Sequence, residues 1–301
     1  MDPSRVGARI MIGLPGLTLD KPTARFLREC PPAGVTLFKY NLSPDRAQIT
    51  ELTGALRKIS LEAVGRPMII AVDQEGGTVK RLPPPFGQYP PASSYGREGR
   101  EAVYRWGLDQ GRELKELGFT MNFAPVLDIN TLGDEGYMKS RAYGDDPETV
   151  AELGAAAVRG LQDAGISACA KHFPGMGQTG LDPHQPVVSE VDRDLAALSE
   201  WELVPFKRAI AAGVKAMMTS HLIYSRLDPG RVASLSPYFL HDLPKIELGF
   251  QGSVLTDDLE MGAITMGSTP EEAAKEALAA GADLALICQT LDAYQRFVDL
   301  K

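Results

Sequence analysis

Apolar residues along the chain fall into eight short runs, 8–14, 34–38, 67–72, 120–127, 165–170, 216–218, 253–256 and 282–288. Each is too short for a helix and is bounded by glycine, proline or charged residues, so each reads as a buried strand. Between them the period lengthens. Ile49, Leu52, Leu56 and Ile59 mark one amphipathic helix over 47–59, and an alanine-rich segment over 149–161 marks another. Leu198, Trp201, Leu203 and Phe206 predict a single helix over 195–212. Pro270 followed by Glu271 and Glu272 is a helix start, and Gly118, Gly165, Gly213 and Gly249 sit where helices should end before the next strand.

Strand–helix alternation repeated eight times predicts an α/β fold, a (β/α)8 TIM-type barrel, as a single domain over residues 1–301. A doubly wound sheet is the alternative, but no Gly-x-Gly-x-x-Gly turn follows the first run. The stretch Pro83–Pro91, with five prolines, reads as a stiff loop on the barrel rim.

The polar residues give the barrel reading a function. A parallel barrel gathers the carboxyl ends of its strands at one face, where active sites lie. Here those ends carry Asp73, Asp128, Lys171, His172, His221, Asp257 and Asp258. Asp257 and Asp258 are neighbours, so the pleat must send them opposite ways, one to the mouth and the other to cap a turn or meet a cation. Alternation by itself leaves open which is which. Arg81 and Arg141 flank the mouth, and a guanidinium fork suits paired hydroxyls or a carboxylate. The loop beyond the fifth run holds Asp182 and His184, two residues apart. That pair reads either as an acid/base histidine with its orienting carboxylate or as a turn satisfying its own backbone.

Composition narrows the partners. Net charge is −8 with no basic run, which argues against nucleic acid, and no stretch suggests a signal peptide or membrane span. Cys30, Cys169 and Cys288 are far apart in apolar settings and read as reduced core thiols, consistent with the cytoplasm. From residues alone the reading stops at a hydrolase acting on a small polar molecule.

Five segments take it further: Asp73-Gln74-Glu75-Gly76-Gly77 with Arg81, Asn122-Phe123-Ala124-Pro125-Val126-Leu127-Asp128, Ser140-Arg141-Ala142-Tyr143-Gly144, Lys171-His172-Phe173-Pro174-Gly175, and Thr256-Asp257-Asp258-Leu259-Glu260-Met261. In this order they resemble glycoside hydrolase family 3, specifically its single-domain bacterial β-N-acetylglucosaminidases. The resemblance runs from the first strand through Ile264. It implies a retaining hydrolase releasing terminal β-linked N-acetylglucosamine, usually from cell-wall fragments during peptidoglycan recycling. Asp257 matches the family's nucleophile, His184 its acid/base and Asp182 the partner of that histidine. Asp73, Arg81, Arg141, Lys171 and His172 match residues that hold sugar hydroxyls, and Asp128 matches a supporting position. The expected partner is a carbohydrate, with no metal or organic cofactor.

The sequence departs from the family pattern in one loop. Met176 stands where a histidine is usual, Gln178 where an aspartate is, and Pro183 where a serine is. Three other functions stay open at this point. A phosphorylase would suit a histidine acid/base, which does not repel phosphate. A metal-dependent hydrolase could use His172, His184, His221 and Asp257, although their spacing is not that of a ligand set. A sugar-binding relative would have lost turnover with its altered loop.

Overall fold

The computed structural model describes residues 7–180 and 185–300. All eight runs form strands: β1 (Ile10–Ile12), β2 (Gly34–Leu37), β3 (Ile69–Val72), β4 (Met121–Asn122), β5 (Ser167–Phe173), β7 (Ala216–Thr219), β9 (Ser253–Asp258) and β10 (Leu284–Ile287). They close into one parallel barrel in the order β1-β10-β9-β7-β5-β4-β3-β2. Two further strands, β6 (Glu190–Val191) and β8 (Ile223–Tyr224), pair in parallel outside the barrel. They tie the loop after β5 to the loop after β7.

Helices cover the barrel in turn: α1 (Lys21–Glu29), α2 (Arg46–Val64), α3 (Arg100–Glu116), α4 (Pro147–Asp163), α5 (Leu195–Glu200), α6 (Leu203–Ala211), α7 (Pro270–Ala279) and α8 (Leu291–Asp299). A π-helical segment, Tyr238–Glu247, wound around Pro244, fills the place between β8 and β9. Helix α7 starts as the sequence suggests, with Pro270 in its first turn and a reciprocal capping box between Thr269 and Glu272. Gly118, Gly165, Gly213 and Gly249 all take positive φ, between 67° and 89°.

The single helix expected over 195–212 is instead two, broken at Trp201–Glu202. Pro205 explains the break. In a continuous helix its missing N–H would leave the Trp201 carbonyl unbonded and its ring would strike that carbonyl. Restarting at Leu203 puts Pro205 in the first turn of α6, where no N–H is needed.

Alternation along the strands sorts the core into an inside and an outside. Met11, Ala71, Met121, Cys169, Ala216, Met218, Leu255, Leu284 and Leu286 form one cluster within the barrel. Their neighbours Met217 and Ala285 belong to the outer clusters against the helices. Cys169 and Cys288 are buried and Cys30 is half-buried. Among the described residues, no helix is long and apolar enough to cross a membrane.

Candidate active site

Counting two residues onward from the inward-facing strand positions reaches the polar ring. Ala71 leads to Asp73, Cys169 to Lys171 and Leu255 to Asp257. All three line a cavity of about 320 Å³ at the carboxyl ends of the strands. That volume is in the range of small-molecule pockets. The position of Leu255 thus settles which of the paired aspartates continues the inward series. His172 lines the cavity as well. It can do so beside Lys171 because the register of β5 against β7 shifts between Lys171 and Phe173.

Four charged side chains, from the ends of two strands and a loop, are locked together on one wall. The Lys171 ammonium lies 2.7 Å from Asp73 Oδ1 and 2.8 Å from Glu75 Oε1, and it is 2% exposed. Arg141 grips Glu75 with two parallel bonds, Nε to Oε2 at 2.8 Å and Nη2 to Oε1 at 2.7 Å. Burial would raise the Glu75 carboxyl, but Arg141 and Lys171 hold it far below the usual range. Burial likewise opposes the charge on Lys171, and Asp73 and Glu75 outweigh it, so the ammonium titrates above its ordinary value. Arg81 reaches Asp73 at 3.8 Å and keeps its buried Nε without a protein hydrogen-bond acceptor. The β3 loop that carries these groups is folded around Gln74. Its side chain donates to the Gly87 carbonyl and accepts from the backbone N–H groups of Arg81 and Leu82.

The second wall is built on Asp128, which is fully buried. Its Oδ2 lies 2.6 Å from His172 Nδ1. A carboxylate accepts, so the proton is on Nδ1. His172 Nε2 lies 3.5 Å from Arg141 Nη2. Asp128 Oδ1 accepts from the backbone N–H of Met176 at 2.8 Å and of His172 at 3.3 Å. The same loop is pinned further on. The Tyr224 hydroxyl donates to the Gly175 carbonyl, and a Cβ at Gly177 would stand 1.6 Å from the Ile129 carbonyl oxygen.

Asp257 and Asp258 both border the cavity and differ in their partners. Asp257 Oδ1 accepts from the Asp258 N–H at 2.8 Å. Burial would raise its pKa, yet His221, His172 and Lys171 together bring it below the ordinary aspartate value, so it is a carboxylate at neutral pH. Among the described residues, Asp258 meets no lysine or arginine. Its Oδ1 accepts from the N–H groups of Glu260 and Cys288, and Oδ2 from the Gln289 side chain. His221 donates from Nε2 to the Asp258 carbonyl at 2.9 Å and has Ser234 Oγ at 2.7 Å from Nδ1. Asp258 is therefore held from both neighbouring strands, and its N–H fixes the Asp257 carboxylate.

Burial, aided by the charges of Glu260 and Asp257, pushes the Asp258 carboxyl up to about 7 against its two backbone donors. An acid whose folded value lies above its unfolded one gives stability that is complete below about pH 4 and lost as pH rises through 7. Asp258→Asn keeps the Oδ1 acceptor and cannot ionise. Its stability relative to the parent is expected to improve between pH 4.5 and 8, by up to roughly 4 kcal/mol, in urea unfolding at a series of pH values. A constant offset across that range would mean that Asp258 does not titrate there.

The structure brings together Asp73, Arg81, Arg141, Lys171, His172 and Asp257 around the one cavity. Asp182 and His184 lie outside the described residues. Sequence reasoning passed over Glu75, which bridges Arg141 and Lys171, and gave His221 a role only in the metal-dependent alternative. Glu75 was within reach, since it sits two positions beyond Asp73 on the same side of the chain. Among the described residues, no group of three or more His, Cys, Asp or Glu side chains is arranged to hold a metal ion.

Comparison with known proteins agrees with this geometry. Residues 13–300 match the Glycosyl hydrolase family 3 N terminal domain. The chain is 35% identical over 290 residues to a beta-hexosaminidase of Xylella fastidiosa, covering 93% of this chain and 83% of that protein. It is 36% identical over 298 residues to a beta-hexosaminidase of Thioalkalivibrio sulfidiphilus, covering 96% and 83%. Among solved structures, a family 3 beta-N-acetylglucosaminidase from Paenibacillus superposes with a TM-score of 0.93 at 37% identity, covering 99% of this chain and 57% of that one. NagZ from Neisseria gonorrhoeae in complex with N-trifluoroacetyl-D-glucosamine gives 0.87 at 28% identity, covering 97% and 84%.

Proposed function

The chain belongs to glycoside hydrolase family 3 and is a glycosidase, and from that premise we propose that it releases terminal β-linked N-acetylglucosamine with retention of configuration. The observation that carries the reading is Asp257. It is an ionised carboxylate at the inward end of β9, facing a cavity whose other wall is the Asp73, Lys171, Arg141 and His172 ring. That ring offers both donors and acceptors to sugar hydroxyls. The bound N-trifluoroacetyl-D-glucosamine of the Neisseria protein is an N-acylated glucosamine, which supports the choice of sugar. Muropeptide fragments from the cell wall are the source that the family resemblance favours.

In the proposed sequence Asp257 attacks the anomeric carbon, and His184 gives its proton to the departing oxygen. His184, now neutral, takes a proton from water, which attacks the same carbon and restores Asp257. The decisive assay is a panel of aryl β-glycosides, glucosaminide against glucoside and xyloside, with and without phosphate. Free N-acetylglucosamine from the glucosaminide alone is the expected product. N-acetylglucosamine 1-phosphate would make the protein a phosphorylase, and binding without release would make it a sugar-binding protein.

The acid/base assignment has its own test. His184→Ala is expected to slow substrates with poor leaving groups at least ~100-fold while sparing dinitrophenolate, which departs without a proton. Azide should then accelerate the dinitrophenyl substrate, because it replaces the water that needs a base. Asp182→Asn should move the alkaline limb of the kcat/KM profile to lower pH, since a nearby anion favours the imidazolium. Equal slowing of all leaving groups, with no azide effect, would remove His184 from acid/base chemistry.

A further inference from the structure

The loop after β5 leaves the barrel at Phe173 and returns through β6, where Glu190 and Val191 pair with Ile223 and Tyr224 of β8. Its outgoing and returning arms also touch through side chains. Thr179 Oγ1 lies 3.0 Å from Ser189 Oγ, and Gln178 Oε1 accepts from Arg193 Nε at 3.2 Å. Arg193 stands two positions beyond the buried Val191 and turns inward with it.

Behind Arg193 lies Glu202, between α5 and α6. Its side chain is 3% exposed, with Oε1 3.8 Å from Arg193 Nε. Neither of its oxygens has a hydrogen bond among the described residues. Burial raises the Glu202 carboxyl, and Arg193 is the cation that opposes the rise. A buried carboxylate is costly without a counter-charge, so Glu202 ties Arg193 to the body of the barrel. The stem of Glu202 also packs on the outgoing arm, since a Cβ at Gly175 would stand 2.9 Å from its own Cβ. Glu202 thus holds Arg193, and Arg193 holds Gln178, in a row across the base of the loop.

The row accounts for Gln178 as well. The family pattern has an aspartate there, and Arg193 Nε needs an sp² oxygen, which an amide and a carboxylate both supply. The charge absent from position 178 is one that Glu202 already provides.

On the reading that His184 is the acid/base, we propose that Gln178, Arg193 and Glu202 are positioning residues for it, tying the two arms of the loop together and so fixing where its proton is delivered.

The test compares kcat/KM for methyl and dinitrophenyl β-N-acetylglucosaminide. Gln178→Ala removes the contact with Arg193 and leaves the Arg193–Glu202 pair in place. It is expected to slow the methyl glycoside about tenfold and the dinitrophenyl glycoside less than about threefold, because a displaced donor costs rate only where a proton is needed. Gln178→Asp should keep the parent ratio, and Arg193→Ala should lower it at least as far as Gln178→Ala. Equal slowing of both substrates, or a Gln178→Asp protein as biased as Gln178→Ala, would overturn the assignment. His184→Ala run in the same series separates the two readings. If it shows no bias between leaving groups, the acid/base reading has failed, and amide hydrogen exchange decides whether the three residues hold the loop. Gln178→Ala should then speed exchange within residues 177–192 by about tenfold and leave β7 and β9 unchanged, and Gln178→Asp should restore protection. Unchanged exchange in the loop, or faster exchange throughout the chain, would overturn the proposal.

Discussion

Asp257→Ala is expected to leave a folded barrel that cleaves aryl β-N-acetylglucosaminides at least ~10⁴-fold more slowly, a loss of about 5.5 kcal/mol in transition-state stabilisation. The fold should survive because the groups around Asp257 keep other partners. Lys171 remains paired with Asp73 and Glu75, and His172 with Asp128. The space left by the carboxylate opens a route for a small anion. Azide added to the variant with a dinitrophenyl substrate should attack from the side where Asp257 stood. Azide forms the bond to the anomeric carbon and dinitrophenolate leaves with its electron pair, giving the α-glycosyl azide. Wild-type protein, which passes through a glycosyl-enzyme, should give the β-azide instead. Proton NMR of the product distinguishes the two. Near-normal turnover by Asp257→Ala, or a β-azide from it, would show that another group is the nucleophile.

The second large effect is expected at Glu75. Glu75→Gln removes the anion that both Arg141 and Lys171 enclose, leaving Arg141 without its carboxylate partner and Lys171 with Asp73. Breaking a buried pair in this way costs on the order of 3–5 kcal/mol, measurable by urea unfolding at pH 7. The double variant Glu75→Leu with Arg141→Met should recover much of that loss, since Lys171 keeps Asp73. Glu75 has a depressed pKa, so its contribution is present above about pH 4.3 and is lost as pH falls through the lower folded value. The gap between Glu75→Gln and the parent should therefore narrow only in acid. Turnover should fall too, because Arg141 and Lys171 lose the group that aims them. Lys171→Ala and His172→Ala should each lower kcat/KM by about 2–4 kcal/mol for all leaving groups alike. A Glu75→Gln protein as stable as the parent at pH 7 would mean that solvent already compensates these charges.

Most of the barrel was legible because each strand is a compact apolar run bounded by breakers, and the eight runs map onto eight strands. The site was legible to the same degree, since polar residues at strand ends have few places to go but the mouth. What escaped the sequence has more than one cause. Pro205 breaks the helix over 195–212 through a carbonyl four residues back, a local rule outweighed in the reading by the apolar period. Glu75 gains its role from Arg141 and Lys171, 66 and 96 positions away. Which of Asp257 and Asp258 faces inward follows only once Leu255 is known to lie inside the barrel. Gln178 and Arg193 look like unrelated loop residues until their hydrogen bond is seen.

The grip of Asp128 on the loop after β5 also explains which parts of that loop evolution can rewrite. Asp128 holds position 176 by its main-chain N–H, a group that every amino acid except proline supplies. A methionine can therefore replace a histidine there without loosening the anchor. One residue later the constraint reverses, because the Ile129 carbonyl occupies the space of any side chain at Gly177. The two positions obey opposite rules: residue 176 is fixed in backbone while its buried side chain must fill the space between core and cavity, and residue 177 is fixed as glycine. Lineages that diversify this enzyme can vary residue 176 to adjust the rim of the cavity, but none can alter residue 177 without moving the β4 loop that carries Ile129.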